Sequence, residues 1–217
     1  IGDSVPPMII ENDVRTGVIA SILSNLDEIK NKGELPLLYA AMGTGFGAEL
    51  VVPTPNGWKV YQKQGGGNLE IGHKHLSGKA IDQSTIKCGC GNINCVETWV
   101  GGTHLKKRYG ESPEFATEDT KRAVAYNLRK AFSMVGKEYS PKLIVLGGGI
   151  AFSWGKEFVE RVVGYMREYY HRIHQEPPIL YLSRLGKDTQ LFGAWATAMR
   201  EKTGSWPDLS FAVKNQY

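Results

Sequence analysis

The 217-residue sequence has no cysteine outside one eight-residue window, no run of five or six like charges, and no apolar stretch of the length a bilayer requires. Each absence excludes something. Three cysteines cannot form a fully paired disulfide framework, so a reducing compartment and metal ligation are expected in place of secretion. A net charge of +4 with Lys and Arg scattered along the chain offers no basic tail, and no nucleic-acid partner is expected through this chain. Without an apolar run of about 20 residues there is no transmembrane helix, and no ordered charged, apolar and small-residue stretch marks a signal peptide. A cytoplasmic protein without a membrane partner is expected. There is no internal repeat and no low-complexity segment. What is present, 41% hydrophobic and 22% charged residues, is ordinary for a globular protein with a real core. The chain opens on Ile1, not Met, so a segment upstream is also expected.

The periodicities predict a mixed α/β order. "VPPMII" reads as a short strand ending near Ile10, followed by an acidic and amide turn and a helix with Val14, Val18, Ile22 and Leu26 at helical spacing. "LPLLYAAMGTGFGAELVV" reads as strand, glycine turn and strand, and Asn56–Gly57 signals a hairpin into "GWKVYQ". A long helix is predicted from near Thr117, with Glu118 and Asp119 in its first turn and Val124, Leu128, Ala131, Phe132 and Val135 on one face. "KLIVL" is a strand, "GGGI" opens a helix carrying Phe158, Val162 and Met166, "PPILYL" is a strand and "LFGAWATAMRE" a last helix. The tail from Gly204 to Tyr217 carries no readable pattern.

The cysteines, Cys88, Cys90 and Cys95, follow C-x-C-x4-C with Gly89 and Gly91 allowing tight reversal around an ion. Zn2+ favours tetrahedral sulfur and nitrogen ligation, and three thiolates plus one imidazole form a closed structural set. Spacing alone lets either His73 or His75 be the fourth ligand. Two glycine segments can bring backbone amides against phosphate: Gly43, Thr44 and Gly45 between two strands, and Gly147, Gly148 and Gly149 between a strand and a helix. The first is also readable as simple turn chemistry. Asp13 is placed either for proton transfer or as a helix N-cap. Glu70 and Glu97 are either solvated surface acids or acceptors for the hydroxyls of a polyol. His171 and His174 read as surface histidines, and Tyr169 and Tyr170 as helix packing.

Taken together, "ENDVRTG", "GTGFG", "LEIGH", "CGCGNINCVE", "LIVLGGGI" and "LFGAWATA" resemble, in order and context, the ROK family of sugar kinases and sugar-responsive repressors, over about Met8 to Arg200. The resemblance implies an actin-like ATPase fold of two lobes with ribonuclease-H-like topology closing on sugar and nucleotide. It implies Asp13 as catalytic base, Asn12, Asp13, Glu70, His73 and Glu97 as sugar contacts, and His73, Cys88, Cys90 and Cys95 as a structural Zn2+ site. Gly43, Thr44 and Gly45 would be the second phosphate motif, and Gly147 and Gly148 the adenosine motif, for ATP with Mg2+. The family pattern for the first lobe, D-x-G-G-T, does not occur in these residues. The chain is therefore expected to comprise an inter-lobe segment carrying the base (1–30), a C-terminal lobe (31–203) with a zinc loop (70–97), and a tail (204–217). The N-terminal lobe would be supplied by more chain or a companion chain, and self-association is expected. The implied activity is phosphorylation of a hexose at its primary hydroxyl. The alternatives are the sugar-sensing part of a repressor and a catalytically incomplete homologue. One departure stands out: the family continues its phosphate motif with small residues, whereas here Ala48 is followed by Glu49, a carboxylate expected near the phosphates.

Overall fold

The computed structural model describes residues 8–26, 29, 33–64, 67–77 and 85–213. Its centre is a five-stranded mixed sheet of order β3-β2-β1-β4-β5. Strands β1 (Leu37–Met42), β2 (Phe46–Thr54) and β3 (Gly57–Val60) form an antiparallel meander, with Gly57 at φ 128° in the predicted Asn56–Gly57 turn. Strand β4 (Leu143–Gly147) pairs parallel with β1, and β5 (Ile179–Leu182) parallel with β4. β1 is buried along its whole length, as a central strand covered on both faces must be, and its sequence "LLYAAM" lacks polar alternation for that reason.

The two faces carry different helices. Leu38, Ala40, Met42, Ile144 and Leu146 meet α4 (Glu118–Tyr139) and α5 (Gly149–Arg172). The α4 start agrees with expectation: Thr117 caps it by accepting the Thr120 amide at 3.3 Å, and Val124, Leu128, Ala131, Phe132 and Val135 are all buried. On the opposite face Leu37, Tyr39, Ala41, Leu143 and Val145 meet α1 (Asp13–Leu23) and α6 (Thr189–Thr203). α1 and α6 cross so closely that a methyl at Gly193 would lie 1.8 Å from the Thr16 carbonyl oxygen, which is why "LFGAWA" carries its glycine there. Two short helices, α2 (Glu97–Val100) and α3 (Gly102–Tyr109), connect the cysteine segment to the rest.

Three expectations change. Of the strand expected to end near Ile10, only Met8, Ile9 and Ile10 are described; they join no ladder among the described residues and are exposed, and the rest of it lies outside the described residues. The tail, unreadable in sequence, docks on β3, where Trp206 stacks on Trp58 with ring centroids 5.3 Å apart and Leu209 is buried. Glu49 is 2% exposed within β2 and lies in the sheet beside Tyr39, its register partner, not in the β1–β2 turn. Among the described residues no helix is long and apolar enough to cross a membrane.

Candidate functional site

Most of the predicted site segments converge on the β1–β2 turn. Val14, in the first turn of α1, packs on Gly47, where a methyl would come within 2.7 Å of its Cγ2. A methyl at Gly45 would lie 2.5 Å from Glu97 Oε2, and one at Gly72 would strike the Phe46 carbonyl oxygen. Gly148, at φ 92°, lets the backbone leaving β4 pass against Met42, a path closed to any side chain.

Asn12 and not Asp13 is the N-cap of α1. The Asn12 side-chain oxygen accepts from the amides of Val14 at 3.0 Å and Arg15 at 3.2 Å. Asp13 is exposed, and its carboxylate accepts the neighbouring Val14 amide at 2.8 Å. The capping work that could have occupied Asp13 is done by its neighbour, which leaves the Asp13 carboxylate open to solvent at the end of the helix.

The cysteine segment brings three of its four predicted ligands, His73, Cys88 and Cys90, into one cluster, with Cys95 beside Cys90 but outside it. Cys88 Sγ lies 3.4 Å from His73 Nδ1, Cys90 Sγ lies 3.7 Å from Cys95 Sγ, and the ligand atoms of His73, Cys88 and Cys90 are all within 4.8 Å of one another. Zinc–sulfur bonds of about 2.3 Å put the edge of a tetrahedron at about 3.8 Å, so these spacings fit a Zn2+ ion. All three cysteines are free thiols. Burial pushes the Cys95 thiol up to about 12 and raises that of Cys88, so without a cation both stay protonated, while the Asn92 amide lowers that of Cys90. His75 is turned elsewhere, with Nδ1 3.2 Å from the Ile93 carbonyl oxygen. The other ring nitrogen of His73, Nε2, lies 3.8 Å from Glu70 Oε2. Glu70 itself sits in the left-handed region (φ 50°, ψ 39°), a conformation costing a non-glycine residue on the order of 1 kcal/mol. Glu97 faces the same cluster: Oε1 is 3.7 Å from Cys88 Sγ, and Oε2 accepts the Phe46 amide at 3.4 Å.

The glycine segments meet in one recess of about 440 Å³, lined by Gly43, Thr44, Gly102, Thr103, Gly149 and Ile150 among others. α3 anchors the turn through its carbonyl oxygens, with Gly102 N–H donating to Gly43 O and Thr103 N–H to Thr44 O, both at 2.9 Å. Carbonyl oxygens repel phosphate, and here they are turned into helix α3. Gly147 does not line this recess; it is the buried end of β4, pressed against the Tyr39 ring on the other face of the sheet. Gly149, one position past the pair named from the resemblance, is the residue that reaches it.

Sequence reasoning missed three features. Glu49 is buried, and burial pushes its carboxyl up to about 7, against the opposing pull of the Leu69 amide, Arg15 and Lys63. His104 on α3 is 6% exposed with Nδ1 unpartnered, and burial lowers its pKa while Glu97 draws it upward. Thr103 donates its hydroxyl to Thr44 O at 3.0 Å, tying α3 to the turn a second time. No local pattern marks these, because each depends on which elements meet in space. His171 and His174 are exposed, as expected, and Tyr170 is buried in helix packing beside Tyr169.

This arrangement, a mixed sheet of order 3-2-1-4-5 with glycine turns and a Cys/His loop at one end, belongs to a recognisable class. The chain is a member of the ROK family, which it matches over residues 5–201. It is 30% identical over 152 residues to a glucokinase of Pyrobaculum calidifontis, covering 60% of this chain and 48% of that one. It is 27% identical over 165 residues to an N-acetyl-D-glucosamine kinase of Pectobacterium carotovorum, covering 65% and 53%. Among solved structures it is similar to a ROK hexokinase from Thermus thermophilus, with a TM-score of 0.67 and 25% identity over 92% of this chain and 67% of that one. The chain spans about half the length of the curated relatives it matches.

Proposed function

We propose that this chain supplies the base-bearing and sugar-reading part of an ATP-dependent hexose kinase. The observation that carries the reading is the convergence on the β1–β2 turn of the first turn of α1, which carries Asp13, with the Glu97 carboxylate and the glycine recess. Family membership and the kinase relatives support it, and their names suggest glucose or an N-acylated hexosamine as acceptor.

In this reading Asp13 takes the proton from the primary hydroxyl of the sugar as that oxygen attacks the γ-phosphorus of ATP. The free amide of Asn12, whose oxygen is committed to the cap, donates to a sugar hydroxyl, and Glu70, His73 Nε2 and Glu97 read the remaining hydroxyls. His73 through Nδ1, with Cys88, Cys90 and Cys95, would hold Zn2+, which would supply rigidity and no chemistry of transfer. The Gly43–Gly45 turn and the start of α5 hold the phosphates and the adenosine, with Mg2+ offsetting charge. Transfer requires donor, metal and acceptor in line, and the groups opposing this surface are, in this reading, supplied from outside these 217 residues. The 217 residues alone are not expected to consume ATP.

The test uses the full-length protein. Asp13→Asn should lower hexose-dependent turnover by about 10²- to 10⁴-fold while sugar affinity, measured by calorimetry, holds within a few-fold. Turnover within a few-fold of the parent would remove Asp13 as the base, leaving the sugar-sensing alternative, which has no use for one.

A further inference from the structure

A second recess, of about 500 Å³, opens on the other side of Thr44 and Thr103 from the glycine recess and is lined by Lys87, Glu97, His104 and Lys107 as well as those threonines. Its chemistry is unlike that of the rest of the surface. Lys87 comes from the cysteine segment and Lys107 from α3; both are exposed, and among the described residues neither forms an ion pair. Between them His104 is more than nine-tenths buried and its Nδ1 has no hydrogen-bond partner. The one carboxylate in the wall, Glu97, has its oxygens directed at the Phe46 amide and the Cys88 sulfur.

We propose that this recess is a binding site for a phosphate monoester dianion, held between Lys87 and Lys107 with His104 beneath it. Two ammonium groups from different segments lining one recess match a compact double charge, and a threonine hydroxyl is suited to the phosphate oxygens. The recess shares Thr44 and Thr103 with the cleft assigned to ATP and Glu97 with the sugar contacts. In that position, and resting on the kinase reading, it receives the phosphate of the sugar phosphate product, or orthophosphate in its place. The site would then make turnover sensitive to product. Anion binding itself does not depend on that reading.

The experiment titrates the full-length protein with orthophosphate, and separately with a hexose 6-phosphate, by calorimetry at constant ionic strength, because chloride screens exposed lysines. Saturable binding is expected for the hexose 6-phosphate, and Lys87→Ala with Lys107→Ala should weaken it about tenfold or more. Both lysines are exposed, so the thermal midpoint of that variant should match the parent. His104→Phe, which keeps the ring and removes the nitrogens, should also weaken it. Orthophosphate bound with the same sensitivity to the variants identifies the dianion alone as sufficient; hexose 6-phosphate bound alone identifies the product as the ligand. No saturable binding of either, or binding untouched by the lysine changes, overturns the proposal. A protein that binds phosphate here but phosphorylates no hexose would sink the kinase reading and leave the site standing. A working kinase whose phosphate binding ignores the lysines would do the reverse.

Discussion

The sheet and the cysteine segment are neighbours held by different forces. The sheet is covered on both faces by helices whose apolar stripes fill two continuous clusters, and burial at about 25 cal/mol per Å² is enough to fix it. The described residues of 70–97 give that core only Ile71, Leu76 and Val96, and the rest of their order comes from local backbone hydrogen bonds, such as Leu76 N–H to Asn94 O and Cys88 N–H to Asn92 O, and from sulfur and imidazole contacts of 3.4–3.7 Å. One half of the proposed site, Asn12 and Asp13, is borne by the first kind of structure. The other half, Glu70, His73 and Glu97, is borne by the second. The lesson is that the acceptor pocket has two independent supports, and each can be removed without the other.

The sharpest way to break that comparison is to remove the metal we propose. Mass spectrometry of the native protein should find about one tightly held Zn2+ per chain. His73→Ala should lose it, while His75→Ala, whose ring faces the Ile93 carbonyl, should retain it. Loss should raise amide exchange across 70–97 with protection in β1 and β4 unchanged, and weaken sugar binding by about 10- to 100-fold. If chelation melts the sheet as well, the two supports are one. A metal-free protein with full protection across 70–97 would end the zinc proposal.

Legibility follows the same division. Where order comes from local chemistry, sequence was sufficient: Thr117 with Glu118 and Asp119 marked the start of α4, Asn56–Gly57 the hairpin, and the C-x-C-x4-C segment the place where His73, Cys88 and Cys90 gather. Where order comes from contact between distant segments, it was not. The apolar run before Asn12 reads as a strand, yet its described residues Met8, Ile9 and Ile10 pair with no strand among the described residues. Asp13 and Asn12 are both good caps by type; only the approach of α1 to the sheet decides that Asn12 takes the role. That Gly149 lines the recess while Gly147 is buried at the end of β4 is a placement the triplet Gly147–Gly149 cannot reveal in one dimension. His104 and Trp206 gain their surroundings from partners roughly 60 and 150 residues away, Thr44 and Trp58 respectively, read as spacing on the chain.

Glu49 lies at the seam between the two regions, on β2 beside the Leu69 amide that leads into Glu70, and a pH titration of stability sharpens the comparison there. Its carboxyl is raised by burial from 4.5 to about 7, so the folded chain binds more protons than the unfolded chain between those values. Stability contributed by the protonated form is whole below about 4.5, falls as pH rises through the window to about 7, and is flat above it. Glu49→Gln keeps the shape and removes the titration. It should be more stable than the parent above pH 7, by up to about 3 kcal/mol, and show no such slope in urea midpoints between those limits. An unchanged slope in the variant would mean that Glu49 is already satisfied as a carboxylate by Arg15 and Lys63.

The smallest expected effect isolates the other support. Asn12→Ala removes the acceptor for the Val14 and Arg15 amides and should cost about 1 kcal/mol of stability, with the zinc content untouched. Asn12→Asp restores the cap oxygen, and a carboxylate at a helix start is favoured by the helix dipole, so stability should return to near the parent value. The two variants part company on function. Asp lacks the side-chain amide that the proposed reading points at the sugar, and it places a second negative charge beside Asp13. Sugar affinity should therefore fall in both variants while stability falls only in the first. If affinity follows stability, recovering in Asn12→Asp, then Asn12 acts solely by holding the start of α1, and the sugar is read from the cysteine side alone.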